Sequence, residues 1–133
     1  MRGLVKAVLA PRRVWPVLWA GVILVLTLMP GNDVPKWPWA ELIHLDKIVH
    51  FVLFGVLAWL TAGVFIHRNS MEPQRAVLIA LVLAVLYGGL IELMQGWMDM
   101  GRSADVWDLM VDAMGASVAL LLALVRWRTP ATM

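Results

Sequence analysis

Asp105, Asp108 and Asp112 enter one apolar segment at spacings of three and four residues. At ~100° per residue they share roughly a third of a helix circumference, with Asp112 about 6 Å deeper than Asp108. Beyond them, residues 116–125 hold no charge, so these carboxylates stand at the edge of a run that reads as lipid-embedded. Two other apolar runs carry polar groups at their ends. Asp46, Lys47 and His50 occupy the first turns of one, with Asp46 and His50 four apart. Glu92 and Gln95 occupy the last turns of another, with Gly88 four residues before Glu92. Residues at such spacings share a helix face.

Several chemistries suit these residue types. His50 is the candidate general base, with Asp46 to orient it and Glu92 to donate a proton. Arg102 and Lys47 are candidate phosphate ligands, the first as a two-pronged fork and the second as a point charge. Gln95, Asp105, Asp108 and Asp112 complete the candidate binding set, where the acids would orient hydroxyl or amine groups. Ser103 is the only hydroxyl among them, and the chain has no cysteine, so water or a substrate hydroxyl would have to attack. The competing structural reading makes the acids and bases a clamp between helices. Asp46, His50, Glu92, Asp105 and Asp108 also have the donor types that hold Zn, Mn or Mg. No compact motif such as H-E-x-x-H accompanies them, so the sequence predicts no metal ligand and leaves any cofactor undefined.

The elements that must position these groups follow from hydropathy. The 133 residues are 62% hydrophobic and only 15% charged; a soluble domain holds about a quarter charged residues. The pI near 9.5 does not point to nucleic acid, because the basic residues flank apolar runs and form no aromatic-laced patch. Apolar runs at about Val14–Met29, Ile48–Ile66, Ala76–Gln95 and Asp105–Val125 each match the ~20 residues that a ~30 Å hydrocarbon layer requires. The first follows a basic stretch but lacks a small-x-small cleavage pattern, so it reads as an uncleaved span. Between the first and second, Pro30, Gly31, Asn32, Pro35 and Pro38 predict a loop without helix. The expected fold is all-α: one domain over residues 1–133, four transmembrane helices in an up-down bundle.

Orientation follows from the basic residues. With the N-terminus in the cytoplasm, the inner segments 1–13, 67–75 and 126–133 hold Arg2, Lys6, Arg12, Arg13, Arg68, Arg75, Arg126 and Arg128, which leaves only Lys36, Lys47 and Arg102 of the 11 outside. Lys/Arg bias sets topology. Both ends are therefore expected inside, in the cytoplasmic (inner) membrane, with the polar cluster on the extracytoplasmic side. Ionisable groups within a membrane face a bundle interior or a wet cavity, so a pocket is expected between spans two, three and four.

The series Asp46-Lys47-x-x-His50-Phe51, Glu92-x-x-Gln95 and Gly101-Arg102-x-x-Asp105-x-x-Asp108, ending at Gly115, resembles the VanZ-like family of small bacterial membrane proteins over about residues 30–122. The resemblance implies that these polar residues are a family signature. It also implies a link to glycopeptide antibiotic susceptibility, which is associated with the family's type members. Asp112 departs from the pattern, which commonly has Asn there. The leading expectation is an envelope protein whose outward pocket engages a phospholipid or a lipid-linked cell-wall precursor. The alternatives are a membrane hydrolase or transferase acting on a lipid headgroup through His50 and Asp46, and a structural subunit of an envelope complex. A transporter fits least, because the inner halves of the last three spans are almost devoid of polar groups.

Overall fold

The computed structural model describes residues 1, 3, 13–31, 36–99 and 101–128. Among them the elements are α1 (Val14–Leu28), α2 (Pro38–Leu42), α3 (Leu45–Asn69), α4 (Pro73–Met98) and α5 (Val106–Arg128), with no strand. The expected basic residues Arg2, Lys6 and Arg12, and residues 32–35 of the first loop, lie outside the described set. Helices α3, α4 and α5 are long and apolar enough to cross a membrane, and α1 is a shorter apolar helix of 15 residues. At ~1.5 Å per residue, α1 covers about 22 Å and each of the others about 35 Å or more. The chain is a multi-pass membrane protein built as the all-helical bundle that its hydropathy pattern predicts.

Two boundaries differ from the expectation. The loop before α3 contains the five-residue helix α2, with Pro38 in its first turn. Proline lacks only an N–H that would be unpaired there, and its fixed φ suits a helix start. Helix α3 also runs past both ends of its apolar core, taking in Asp46 and Lys47 at one end and His67 and Arg68 at the other. Hydropathy marks the length that lipid can bury, whereas hydrogen bonding continues into the polar flanks. At the far end Ser70 turns left-handed with φ 51°, and the Met71 N–H donates to the Phe65 carbonyl at 3.0 Å. Pro73 then opens α4 behind Glu72, whose carboxylate accepts from the Arg75 N–H at 3.4 Å.

Helix α5 packs most extensively on α3, and α4 closes the third side. The α3–α5 approach is close because its seam is made of small residues. Any Cβ on Gly115 would collide with the Phe51 carbonyl, and one on Gly55 would stand 3.1 Å from the Gly115 carbonyl. Ala58, Ala62, Ala116 and Ala123 continue the buried seam. Small residues of this kind let membrane helices pack backbone to backbone. Helix α1 lies against α3 and α4 and makes no contact with α5. Trp19 Nε1 donates to the Leu53 carbonyl at 2.9 Å, and the Tyr87 hydroxyl donates to the Ala20 carbonyl at 2.6 Å. Ile23 is fully buried between them.

Candidate functional site

One end of the bundle gathers polar side chains from α3, α4 and α5. The loop 101–105 supplies the entry to α5, and Asp105 organises it. Its Oδ1 accepts from the Trp107 N–H at 2.8 Å, and its carbonyl accepts from the Asp108 and Leu109 N–H groups. This is an N-cap, satisfying donors that the first helical turn leaves free. The Trp107 hydrogen bond, followed by the Lys47 ammonium, holds the Asp105 carboxyl below its ordinary range. The Asp105 N–H donates to Glu92 Oε2 at 2.6 Å, which ties the loop to α4.

Lys47 on α3 reaches across to α5. Its Nζ donates to Asp108 Oδ1 at 2.7 Å and Asp105 Oδ2 at 3.2 Å. One turn deeper, His50 Nδ1 pairs with Asp112 Oδ1 at 2.8 Å, and His50 Nε2 stands 3.8 Å from Asp108 Oδ2. The imidazole lies nearly parallel to the Phe54 ring, at 6.4 Å between centroids. His50, Glu92 and Asp112 are all buried, Asp112 to within 1%. Asp112 Oδ2 and Glu92 Oε1 have no hydrogen-bond partner among the described residues. Asp112 finds room because Gly88 faces it: a Cβ there would stand 2.9 Å from Oδ2. A Cβ on the adjacent Gly89 would meet nothing within 4 Å.

Lys47, His50, Glu92, Asp105, Asp108 and Asp112 therefore converge, while three other sequence candidates do not. Asp46 was expected to orient His50. Its side chain is instead 64% exposed and approaches only Lys47, at 3.8 Å, and Asp112 takes the place beside the ring. Spacing of four residues permits contact, but Asp46 in the first turn of α3 points outward while His50 faces α5. Gln95 is buried and turned toward α1, donating to the Thr27 carbonyl at 2.7 Å. That carbonyl lies in the last turn of α1, where no intrahelical donor reaches it, so Gln95 ties two helices. Arg102 forms no ion pair or hydrogen bond with any described residue, so it does not neutralise the acids as the structural reading expected.

Arg102 instead lines a cavity of about 680 Å³ bounded by the end of α1, by α2 and by the start of α3. Its place is fixed by the residue before it. Gly101 adopts φ 73°, which glycine alone accepts readily, and its carbonyl meets Gly31 at a distance that leaves no room for a side chain. Lys36, Glu41, His44 and His50 also face the cavity, among apolar walls that include Leu26 and Val49. Lys36, Glu41 and His44 were missed from the sequence because they lie around α2, where only a loop was expected. His50 thus touches both the cavity and the polar cluster.

His50, Glu92 and Asp108 each place one ligand atom within 4.8 Å of the other two, a trio able to hold a metal ion. The sequence expectation of no metal rested on the lack of a local motif. These three ligands come from three different helices, where no local motif would register them.

No curated protein and no solved structure matches the chain. The VanZ/LLP1 family model matches residues 8–127, nearly the whole sequence and every element described above. On that match, made over the same residues that build the polar recess and the helices around it, the chain belongs to the VanZ/LLP1 family.

Proposed function

We propose that this protein binds the phosphate of a membrane lipid, either a phospholipid or a lipid-linked cell-wall precursor, on the extracytoplasmic side of the cytoplasmic membrane. The observation that carries the reading is Arg102: a guanidinium free of described partners, at the wall of a cavity whose other walls are largely apolar. A lipid offers matching chemistry, with acyl or isoprenyl chains along the apolar walls and a phosphate oxygen pair for the fork of the arginine. Lys36 adds a second positive charge to the same cavity. The cellular consequence would be altered susceptibility to glycopeptide antibiotics, as the family name suggests.

The test is equilibrium binding of short-chain phosphatidylglycerol and of a short-chain isoprenyl phosphate to the purified protein in detergent. A hydrogen bond to a charged group contributes about 1.5–3 kcal/mol, so Arg102→Ala should weaken the preferred lipid by about tenfold or more. The two ligands distinguish the two lipid sources. Equal affinity of the variant and the parent chain for both lipids would overturn the reading.

A second reading, hydrolysis or transfer at the headgroup, is favoured by the buried His50–Asp112 pair, whose geometry is that of a base and its orienting carboxylate. It replaces Asp46 by Asp112 in the orienting role. Mass spectrometry of lipids incubated with the protein tests it: a new headgroup species supports chemistry, and unchanged lipids leave binding alone.

A further inference from the structure

We propose that the recess between α3, α4 and α5 is a divalent metal site, with His50, Glu92 and Asp108 as its protein ligands and a first-row transition ion as its occupant.

Each of the three residues has one polar atom held by an orienting bond and another left over. His50 Nδ1 is held by Asp112 at 2.8 Å. Glu92 Oε2 accepts from the Asp105 N–H at 2.6 Å. Asp108 Oδ1 accepts from Lys47 at 2.7 Å. What remains is His50 Nε2, Glu92 Oε1 and Asp108 Oδ2. Glu92 Oε1 is buried without a partner among the described residues, in a residue only 6% exposed.

These remaining atoms are all acceptors. A carboxylate only accepts, so the pairing with Asp112 puts a proton on Nδ1, and a neutral imidazole then carries its lone pair at Nε2. One ligand atom from each residue lies within 4.8 Å of the other two, and Nε2 stands 3.8 Å from Asp108 Oδ2. For a neutral imidazole, the lone pairs of Nε2 and Asp108 Oδ2, 3.8 Å apart, repel until a cation lies between them. The Lys47 ammonium does not fill that place, because it is bonded to Asp105 and to the other oxygen of Asp108.

The donor set and its dimensions suit a metal. One imidazole and two carboxylates are ligands of Zn or Mn, with the open positions left to water or a substrate oxygen. Two ligands at ~2.1 Å from an ion stand at most about 4.2 Å apart. The 3.8 Å separation falls within that span, and the third donor lies within 4.8 Å of the other two. The Asp112–His50 bond is the outer-shell contact that metal-binding histidines require to fix ring and tautomer. A metal held by these atoms would need no bound lipid.

The experiment is titration of the full-length, tag-free, chelator-stripped protein in detergent with Co²⁺ alone, followed by visible absorption. One equivalent should bind with ligand-field bands, and Zn²⁺ should displace it. Glu92→Gln keeps an acceptor for the Asp105 N–H and so keeps the loop anchored. It should weaken Co²⁺ by more than the ~10–100-fold typical of outer-shell changes, and Asp112→Asn should fall within that range. Asp99→Asn makes the same change of charge at an exposed residue at the end of α4 and should leave binding unchanged. The proposal is overturned if the parent chain binds no Co²⁺, as it would if a proton on Nε2 served instead. It is equally overturned if Glu92→Gln binds as tightly as the parent, or if Asp99→Asn weakens binding as much as Glu92→Gln. Arg102→Ala should lose lipid while keeping Co²⁺, which separates this proposal from the lipid reading.

Discussion

Asp112 is 1% exposed, and its only hydrogen bond among the described residues is the one with His50 Nδ1, so removing the imidazole leaves a buried carboxylate without that partner. Leaving a buried charge uncompensated costs about 3–5 kcal/mol. His50→Ala should therefore destabilise the fold strongly. Asp112→Ala, which strands only an imidazole N–H, should cost about 1–3 kcal/mol. The double variant should lose clearly less than the sum, because contacting residues couple by about 0.5–3 kcal/mol. Chemical unfolding in micelles followed by circular dichroism measures all three, and strict additivity would show that the pair does not interact. The partner of His50 was the part of the site least legible in the sequence. Residue types and depth pointed to His50, Glu92 and Asp108, which do converge. Local spacing offered Asp46, whereas the residue that closes on the ring lies 62 positions away. Periodicity says which residues can share a face on one helix, not which face a second helix will bring against it.

Helices of this length were legible because lipid imposes a run of apolar residues on each, and the Pro38 start of α2 was not, because proline marks a break and a beginning alike. The α3–α5 seam shows what positions the site. Gly115 lets the Phe51 carbonyl sit against α5, and that approach sets how near His50, one residue before Phe51, comes to Asp112 and Asp108, which lie one and two turns earlier on α5. Gly115→Ala has to push the helices apart, since the obstacle is backbone and cannot rotate away. It should cost at least the ~1–3 kcal/mol of an overpacked core and also lengthen the His50–Asp112 contact. Gly88→Ala meets only side-chain atoms, Asp112 Oδ2 at 2.9 Å and Leu109 Cδ1 at 3.2 Å, so it should be milder. Thermal unfolding in detergent ranks the two. A larger loss at Gly88 than at Gly115 would contradict the seam as the controlling contact.

At the scale of the whole molecule, the cavity and the recess proposed as sites lie at one end of the bundle. The cavity with Arg102 and the recess with His50, Glu92 and Asp108 share that end, and His50 borders both. The other end carries Arg68 and Arg126, with Trp127 packed on Trp59 and His67. If these basic residues mark the cytoplasmic flank, as Lys and Arg do, the recess opens on the extracytoplasmic face proposed above, where lipid headgroups and cell-wall intermediates would meet it. The absence of cysteine gives a clean background for mapping this. Ser70→Cys lies in the exposed turn between α3 and α4, and Ser103→Cys in the exposed loop before α5. In intact spheroplasts a membrane-impermeant maleimide should label Ser103→Cys and spare Ser70→Cys, and inside-out vesicles should reverse the pattern. Labelling of Ser70→Cys alone in spheroplasts would turn the recess toward the cytoplasm. The ligand would then have to be a lipid phosphate of the inner leaflet, and an external cell-wall precursor would drop out.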